Sequence, residues 1–314
     1  MVIEKSSIPI VSVITNCFNS EKYLHEAIES VLAQTYQNWE LIIWDNCSTD
    51  RTAEIAQSYI DERISYFLAD YHTALGEARN LAIGKSQGQF IGFLDSDDIW
   101  LPEKLEKQLP LFSDPVVGIV ICDTYFFNQK SILSQLYKKN KPPVGKVFRQ
   151  LLSEYFVSLE TAMIRRIALE SMEYWFDTRF NVIEEYDLFV RIGYKWELAY
   201  IDQVLAKWRV HGSSWTWTRG NLFPLEKKLM LQTFEQKIPD FGMQYQKEIL
   251  LVHQSCDWDE ALMAWKEGDS FRARQLLNPY MHAGFKWMAS YWLTYFPFSL
   301  YAFLDRLRGG ARPT

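Results

Sequence analysis

The sequence Phe90-Ile91-Gly92-Phe93-Leu94 passes directly into the acidic cluster Asp95-Ser96-Asp97-Asp98. An uninterrupted apolar run of this length is typical of a buried β-strand, so the three carboxylates lie where a strand ends. Carboxylates this close repel one another, and a bound cation removes that cost. Oxygen ligands favour Mg²⁺ or Mn²⁺. The alternative is a solvated turn that caps the next helix, because Asp is common at helix N-termini.

Strand-like and helix-like segments alternate through the residues that precede this cluster. The strand-like runs are residues 11–14, 41–44 and 64–68, with 90–94 as the next. The helix-like segments between them are residues 22–34, a segment ending at Tyr59, and residues 77–85. This alternation predicts an α/β fold with a mostly parallel sheet and crossover helices. Ligands bind beyond the carboxyl ends of strands in such sheets, so the loops after residues 14, 44 and 94 should converge on one site.

The bulk composition limits the classes of protein that this chain can represent. It has 314 residues, of which 48% are hydrophobic and 23% charged, as in globular proteins. A formal net charge of -6 argues against nucleic-acid binding, which needs a basic face, and favours small molecules or glycans as partners. The four cysteines show no metal-binding spacing and are predicted to be reduced. The N-terminus lacks the pattern of a signal peptide, so we expect a cytoplasmic location.

Beyond the α/β part, the pattern becomes helical to the end of the sequence. We therefore predict one domain over residues 1–215 and a helical region over residues 216–314. Within that region, residues 287–304 carry no charge and are rich in aromatics, with Pro297 interrupting them. Aromatic residues favour the boundary between water and lipid, so peripheral membrane contact through residues 285–308 is the favoured interpretation. A packed pair of core helices and a true membrane span are the alternatives.

Several motifs occur together in the order and spacing of one enzyme family. They are Ser12-Val13-Ile14 with the residues that follow to Asn19, Ser30-Val31-Leu32-Ala33-Gln34-Thr35-Tyr36, residues 40–52, Ala78-Arg79-Asn80 and residues 93–108. Together they resemble glycosyltransferase family 2 of the GT-A fold, over about residues 10–215. The resemblance implies a mostly parallel mixed sheet flanked by helices, followed here by the helical appendage. It also implies inverting transfer of a sugar from a nucleoside diphosphate, with a UDP-sugar favoured, to an acceptor hydroxyl. The setting implied is cell-surface polysaccharide or lipid-linked glycan synthesis.

The resemblance places the nucleotide at the ends of three strands and on one helix. The residues implied are Asn16, Phe18 and Asn19 at the base, Asp45 and Asn46 at the uracil ring, Arg79 near the diphosphate, and Asp95 and Ser96 at the ribose and diphosphate. Asn46 stands where the family usually has a second Asp, and a turn-forming role is the alternative for it. A planar guanidinium suits diphosphate oxygens or an Asp of the cluster. The alternative for Arg79 is an arginine on a helix surface.

A divalent metal at the acidic cluster is implied as well. Asp97 would be the principal ligand of Mn²⁺ or Mg²⁺, and Asp98 would fix the local turn. His211, in Trp208-Arg209-Val210-His211, could complete the metal site or contact the diphosphate. A structural histidine is the alternative for this position.

The catalytic base is implied in a second acidic run, Glu184-Glu185-Tyr186-Asp187. Glu185 stands at the position where the family usually has an Asp that acts as general base, and Glu184 and Asp187 are the other candidates. The alternative for the whole run is a helix N-terminus with an ion pair from Asp187 to Arg191.

Two further segments could contact the sugar or the acceptor. Residues 130–145 are rich in Lys, Asn and Pro and are predicted to form a mobile loop that could act as a lid. Trp100, Trp215 and Trp217 could stack on sugar faces, or they could be packing residues.

Two other functions fit parts of the sequence. An apolar strand running into Asp-x-Asp also occurs in phosphatases that use an aspartyl nucleophile, but there the strand is ordinarily the first in the chain. Here strand-like runs precede it. The remaining alternative is a nucleotide- or glycan-binding protein on a catalytically decayed scaffold, because Asn46 and Glu185 depart from the family pattern.

Overall fold

The computed structural model describes residues 10–211 and 219–307, with side chains to residue 304. The chain divides into two compact units. The first comprises Met1–Leu151 and Phe156–Arg209, and the second comprises Leu152–Tyr155 and Val210–Thr314. The predicted domain boundary, between residues 215 and 216, lies outside the described residues.

A nine-stranded mixed sheet forms the centre of the described part of the first unit. Its strands are β1 (Val11–Cys17), β2 (Trp39–Asp45), β3 (Ile64–Leu68), β4 (Phe90–Phe93), β5 (Ile99–Trp100), β6 (Val117–Phe127), β7 (Ile132–Gln135), β8 (Met163–Arg165) and β9 (Glu197–Arg209). Their order is β3-β2-β1-β4-β8-β6-β9-β5, and β7 pairs with β6. Strands β1 to β4 run parallel, as the alternation of segments predicted. The sheet is mixed because β8 runs antiparallel to β4 and β6, and β5 runs antiparallel to β9.

Helices connect these strands and cover the sheet. They are α1 (Leu24–Leu32), α2 (Thr52–Gln57), α3 (Leu75–Ile83), α4 (Lys104–Gln108), α5 (Phe148–Ser153), α6 (Arg166–Glu170) and α7 (Glu184–Lys195). Helix α1 buries Leu24, Ile28 and Val31, which are spaced by three or four residues and so share one face. That face packs in the same core as Val11 and Val13 of β1. Each large apolar side chain buried in this way contributes about 1.5–3 kcal/mol, so α1 holds β1, and the loop after it, in place.

Strand β4, which leads into the acidic cluster, lies against a buried tryptophan. A Cβ added at Gly92 would lie 2.7 Å from Cη2 of Trp100, so this position needs glycine for close packing. Trp100 is 1% exposed, and its indole N–H donates to the Glu160 carbonyl oxygen at 2.9 Å. Trp100 is therefore a packing residue and does not face a sugar. Trp215 and Trp217 lie outside the described residues.

Part of the segment predicted as a loop at residues 130–145 is a strand. Strand β7 pairs with β6 through Tyr125 and Gln135, while Ile132 and Leu133 on β7 are exposed. A four-residue strand at a sheet edge is set by pairing with its neighbour more than by its own pattern, which is why the composition of this segment did not reveal it. Its movement as a lid stays a prediction.

The second unit is helical in the residues described, as the sequence predicted. Its helices are α8 (Phe223–Lys237), α9 (Phe241–Gln244), α10 (Gln246–Lys266), α11 (Ser270–Leu277), α12 (Phe285–Leu293) and α13 (Phe298–Leu307). Trp265 of α10 lies in a core that also contains Ala273 and Leu277 of α11. The charge-free segment at residues 287–304 forms two short helices with Pro297 between them. Among the helices of residues 10–211 and 219–307, none combines the length and the apolarity needed to span a bilayer.

Candidate functional site

The loops after β1, β2 and β4 are joined by hydrogen bonds at one edge of the sheet. The hydroxyl oxygens of Ser20 and Ser96 lie 2.8 Å apart, which joins the first loop to the acidic cluster. The backbone N–H of Asn19 donates to the hydroxyl of Ser48 at 2.9 Å, which joins the first loop to the second. The three loops therefore converge on one site, as their place at parallel strand ends predicted.

Asp45 lies at this edge with both carboxylate oxygens bonded. One oxygen accepts a hydrogen bond from the backbone N–H of Ser48 at 2.8 Å, and the other accepts one from the Tyr66 hydroxyl at 2.8 Å. The side chain is completely buried. Asp45 thus links the end of β2 to β3 and shapes the loop that follows it, and a role at the uracil ring stays a prediction.

Asn46 joins the end of β2 to the loop after β3. Its side-chain amide donates to the Thr73 carbonyl oxygen at 2.8 Å, and its side-chain oxygen accepts from the Thr73 backbone N–H at 3.1 Å. A ring nitrogen of His72 lies 2.9 Å from the Asn46 carbonyl oxygen. Asn46 is only 6% exposed, so its amide fixes the position of this loop, in line with the turn-forming alternative.

An exposed aromatic pair lies just beyond β1. The Phe18 side chain is 48% exposed, and its ring centroid lies 4.4 Å from that of His72. Asn19 adopts a left-handed backbone with a φ of 51°, which asparagine tolerates, and its side-chain oxygen accepts from the Thr49 backbone N–H at 2.8 Å. The side-chain nitrogen of Asn16 is buried without a hydrogen-bond partner in the described structure. His72 was missed from the sequence, although an aromatic residue in a loop after a strand was a usable signal.

The three carboxylates of the acidic cluster have different surroundings. Asp98 is 1% exposed and accepts a hydrogen bond from the Arg209 backbone N–H at 2.8 Å, so it ties the cluster to the end of β9. Burial, together with the charge of Asp97, raises the pKa of Asp98 well above its ordinary value. Asp95 and Asp97 are both partly exposed. The structure therefore separates a buried carboxyl that supports the turn from two that can reach a ligand.

A buried arginine connects the acidic cluster to the start of α7. Arg79 of α3 donates to Asp95 at 3.2 Å and to Glu184 at 2.9 Å, and its guanidinium lies 3.8 Å from Glu185. The side chain is 3% exposed. Although burial lowers the pKa of Arg79, the charges of Asp95, Glu184 and Glu185 raise it above its ordinary value. The two acidic runs predicted separately thus belong to one ion-pair network, and Arg79 is not a helix-surface arginine.

Glu185 lies beside this network, and its surroundings raise the pKa of its carboxyl group. Its side chain is 27% exposed. Loss of hydration raises its pKa to about 8, with the charges of Glu184 and Asp95 adding to the rise and Arg79 opposing it. A carboxyl group with a pKa near neutrality and partial access to solvent is suited to proton transfer.

Asp187 has a different environment from Glu185, two residues away on α7. It is completely buried, and Arg191 donates to it at 2.7 Å. Arg191 also donates to the Tyr174 carbonyl oxygen at 2.8 Å and to that of Trp175. The predicted i,i+4 ion pair is present, and it fixes the segment before α7. This leaves Asp187 far less accessible than Glu185.

Arg209 positions the acidic cluster and was not singled out from the sequence. Its side chain donates to the Asp97 carbonyl oxygen at 2.7 Å and to Glu26 of α1 at 2.9 Å. The guanidinium lies 4.2 Å from the Tyr23 ring and 4.5 Å from the Phe127 ring. The available signal was an arginine at the end of an apolar strand, because a buried charge needs fixed partners.

The donor set of the cluster fits a divalent cation that is shared with a phosphate ligand. Within the described ranges, no three His, Cys, Asp or Glu side chains are grouped to hold a metal by themselves. Mg²⁺ is usually bound through one or two carboxylates together with substrate phosphates, and Asp95 and Asp97 can supply such carboxylates. Loss of hydration and the charge of Asp97 raise the pKa of Asp95, and a cation would relieve that repulsion. His211 follows β9 in the second unit, and its role as a ligand stays a prediction.

Comparison with known sequences identifies a family for the N-terminal half of the chain, which includes the acidic cluster and Arg79 but not α7. Residues 12–172 match the family model described as Glycosyl transferase family 2. The chain is 48% identical over 164 residues to TuaG of Bacillus subtilis, named for teichuronic acid biosynthesis, and the match covers 50% of this chain and 63% of TuaG. It is 34% identical over 140 residues to the Escherichia coli UDP-Glc:alpha-D-GlcNAc-diphosphoundecaprenol beta-1,3-glucosyltransferase WfgD, covering 45% of this chain and 55% of WfgD. The chain thus spans less than two thirds of either relative.

Solved structures resemble the chain over most of its length. Residues 1–349 of S. aureus TarS in complex with UDP-GlcNAc give a TM-score of 0.59 at 18% identity, covering 88% of this chain and 92% of that one. The mannosyltransferase PcManGT from Pyrobaculum calidifontis, in complex with GDP-Man and Mn²⁺, gives 0.60 at 17% identity, covering 98% and 87%. At these identities the likeness concerns the fold.

Proposed function

Because the chain belongs to glycosyltransferase family 2, we propose that it is an enzyme that transfers a sugar from a nucleoside-diphosphate donor to an acceptor hydroxyl with inversion. Its fold is the GT-A fold, as the sequence predicted. The observation that carries the proposal is the bonding of one buried arginine, Arg79, to both Asp95 and Glu184, with Glu185 beside it. This contact supports the proposal because it puts the residues assigned to the donor next to those assigned to the acceptor.

The donor nucleotide would lie across the ends of β1, β2 and β4. The exposed ring of Phe18 suits stacking on a base, with Asn16 and Asn19 beside it. Asp45 and Asn46 would border the base, mainly by fixing the loops around it. Asp95 and Ser96 would contact the ribose and diphosphate. Arg79, predicted from the sequence near the diphosphate, is buried against Asp95 and would act on the donor through that carboxylate.

A divalent metal, Mn²⁺ or Mg²⁺, would be held by Asp97, with Asp95 beside it and His211 as a further candidate ligand. When bound, such a cation stabilises the negative charge that develops on the leaving nucleoside diphosphate. Arg209 would act as a positioning residue for this site, because it holds the Asp97 carbonyl oxygen and buries its own charge behind the turn.

Glu185 is the proposed general base. Its deprotonated carboxylate would accept the proton of the acceptor hydroxyl while the acceptor oxygen bonds to the anomeric carbon and the diphosphate oxygen leaves. Arg79 supports this role because its charge opposes a further rise in the pKa of Glu185. Glu184 is a weaker candidate, since it is the direct hydrogen-bond partner of Arg79. Asp187 is the weakest, because its carboxylate is buried against Arg191.

The names of the relatives support a UDP-sugar donor and a cell-envelope acceptor. WfgD is named for UDP-Glc and a diphosphoundecaprenol-linked acceptor, and TuaG for teichuronic acid biosynthesis. By analogy, we place this chain in cell-surface polysaccharide or lipid-linked glycan synthesis. The enzyme would be cytoplasmic. Because its acceptor would be linked to a lipid, it would contact the membrane surface, and residues 285–308 would make that contact. Residues 1–215 would form the catalytic domain and residues 216–314 the helical region.

A panel of nucleotide sugars, each incubated with the full chain and Mn²⁺, tests this function. We expect one donor, a UDP-sugar, to release nucleoside diphosphate, and chelation of the metal to stop the release. The competing possibility is a decayed scaffold, which would bind a nucleotide tightly without releasing diphosphate or sugar. Calorimetric binding of each nucleotide, measured beside turnover, separates the two, because binding without any turnover across the panel and across acceptors would contradict the proposal.

A further inference from the structure

Helices α12 and α13 are apolar on two sides. On the inner side, Trp287, Tyr291, Phe298 and Tyr301 pack against the core of the second unit. The residues exposed on the other side are Phe285, Met288, Trp292, Tyr295, Phe296, Leu300 and Phe303, which together form what we call the outer face. A helix that is apolar all round is normally buried in protein or lipid. The outer face therefore has the composition of a docking surface.

The size of the outer face distinguishes it from scattered surface residues. Five of its members are aromatic, and each of these is more than half exposed, with values from 54% for Phe296 to 70% for Phe285. Summed over these five residues the exposed surface is roughly 500 Å², as much as the largest apolar patch on a typical monomer exposes. Tryptophan and tyrosine, both present here, favour the headgroup level of a bilayer.

The charge around the outer face points to an anionic ligand. From Ser270 to Leu304 the chain contains Arg272, Arg274 and Lys286 but no Asp or Glu, although the whole chain has a net charge of -6. The guanidinium of Arg274 lies 4.4 Å from the Tyr295 ring on the outer face. Lys286 is exposed and follows Phe285 directly, and its ammonium lies 4.0 Å from the ring of Trp258, beside the inner side of α12. Cationic side chains among exposed aromatics match the phosphates of anionic lipids.

The same charges argue against a second copy of the chain as the partner that binds the outer face. A two-fold interface pairs a surface patch with itself. Arg274, which lies beside Tyr295 of that patch, would then approach Arg274 of the other copy, and the outer face itself carries no acidic residue to neutralise the two charges. A surface of anionic lipid provides that neutralisation.

We propose that the outer face of α12 and α13 binds the surface of an anionic lipid bilayer, with its aromatic rings among the headgroups and the positive charge carried by α11 and α12 attracted to the lipid phosphates. The inference rests on the proposed membrane contact and not on the transfer reaction. It names the residues that make the contact and the charge of the lipid that receives them.

Flotation of the full chain with vesicles tests the aromatic part of the proposal. We expect binding to vesicles of phosphatidylcholine mixed with phosphatidylglycerol and much weaker binding to phosphatidylcholine alone. The variant Trp292→Ser/Phe296→Ser/Phe303→Ser should bind at least about tenfold more weakly. The matched control Leu225→Ser/Met243→Ser/Leu250→Ser removes equally exposed apolar residues elsewhere in the second unit and should bind like the wild type.

Charge variants test the electrostatic part of the proposal at two positions that are not members of the outer face. Arg272→Gln/Lys286→Gln should weaken binding to the anionic vesicles by about fivefold for each charge removed. The control Lys195→Gln/Lys247→Gln, which removes two exposed lysines elsewhere, should change it little. Added salt should reduce the difference between the binding of the wild type to anionic vesicles and its binding to neutral vesicles.

Three results would overturn the proposal. The first is equal binding to neutral and anionic vesicles, and the second is unchanged binding by both the aromatic and the charge variants. The third is a concentration-dependent dimer that the aromatic variant abolishes, with no vesicle binding by the wild type, which would assign the outer face to a second copy. Turnover of a soluble donor with a soluble acceptor, measured on the same variants, should be unchanged. Failure of membrane binding is thereby distinguished from failure of the proposed reaction.

Discussion

The loop after β2 and the acidic cluster after β4 lie at the same edge of the sheet, yet Asp45 at the first has surroundings opposite to those of Asp95 in the second and of Glu185 nearby on α7. Asp45 is completely buried, and each of its oxygens accepts a hydrogen bond. Asp95 and Glu185 are partly exposed and crowded by like charges, and their pKa values are raised. A satisfied buried carboxylate stabilises a loop, whereas crowded carboxylates with altered pKa values mark a site of chemistry. Substitutions near Asp45 should therefore affect stability first, and substitutions in the Arg79 network should affect turnover first.

Loss of the proposed metal ligand should have the broadest effect, because both donor binding and transfer depend on it. Asp97→Ala removes the carboxylate that we assign to the cation, so metal-dependent donor binding should disappear and transfer should fall by at least about a hundredfold. Isothermal titration with nucleotide, in the presence and absence of Mn²⁺, measures the binding. Glu62→Ala, at an exposed acidic position, is the control. Retention of Mn²⁺-dependent binding by Asp97→Ala would place the metal elsewhere.

Removal of the Arg79 guanidinium should affect both turnover and stability. Arg79→Met leaves Asp95, Glu184 and Glu185 without their shared cation, and loss of one partner from a buried ion pair costs about 3–5 kcal/mol of unfolding free energy. Turnover should fall as well, because the pKa of Glu185 rises when the opposing charge is lost. Urea unfolding and steady-state kinetics measure the two effects.

Arg51→Met is the matched control for this arginine. Its ion pair with Glu54 is exposed, and exposed pairs contribute about 0–1 kcal/mol. If Arg79→Met were no more damaging than Arg51→Met, the network would have no structural or catalytic role.

The pH dependence of the reaction should report the base. Glu185 must be deprotonated to accept a proton, and its pKa is raised to about 8. The kcat/KM for the donor should therefore rise with pH towards that value, by about tenfold per unit on the acidic side. A profile already flat between pH values near 5 and 8 would show that no group with a raised pKa limits the reaction.

The smallest effect on turnover should come from the loop after β2. Tyr66→Phe removes the hydroxyl that donates to Asp45 and leaves a buried oxygen unsatisfied, which costs about 1–3 kcal/mol of unfolding free energy. The rate of transfer by the folded variant should stay within about twofold of that of the wild type, because the activation free energy should change by less than about 1 kcal/mol. Tyr194→Phe, at a partly exposed ring, is the control. If Tyr66→Phe lost much of its turnover but little of its stability, the loop after β2 would not differ from the acidic cluster in its role.

The parallel half of the sheet could be predicted because its signal is local. The run at residues 64–68 coincides with β3, and the runs at 11–14 and 41–44 lie inside β1 and β2. Apolar runs bounded by polar residues identify buried strands without knowledge of their partners. The place of the ligand loops at strand ends followed from the same pattern. The family resemblance then supplied the functional roles of the residues.

The parts that could not be predicted depend on contacts between distant residues. Arg79 and Glu184 are 105 residues apart in the sequence, and no local pattern reveals that α7 begins beside the acidic cluster. The short strands β7 and β8 depend on their neighbours for their conformation. Arg209 was visible only as part of a motif, since its partners Asp97 and Glu26 come from other segments.

We propose Glu185 as the base in a site assembled by Arg79, and the variant Glu185→Gln tests this role most directly. The substitution keeps the size of the side chain and removes its ability to accept the proton as a carboxylate. With Glu170→Gln, an exposed position, as control, we predict donor affinity within about threefold of the wild type and a kcat lower by about 10²–10⁴. A kcat for Glu185→Gln equal to that of the control would contradict the account.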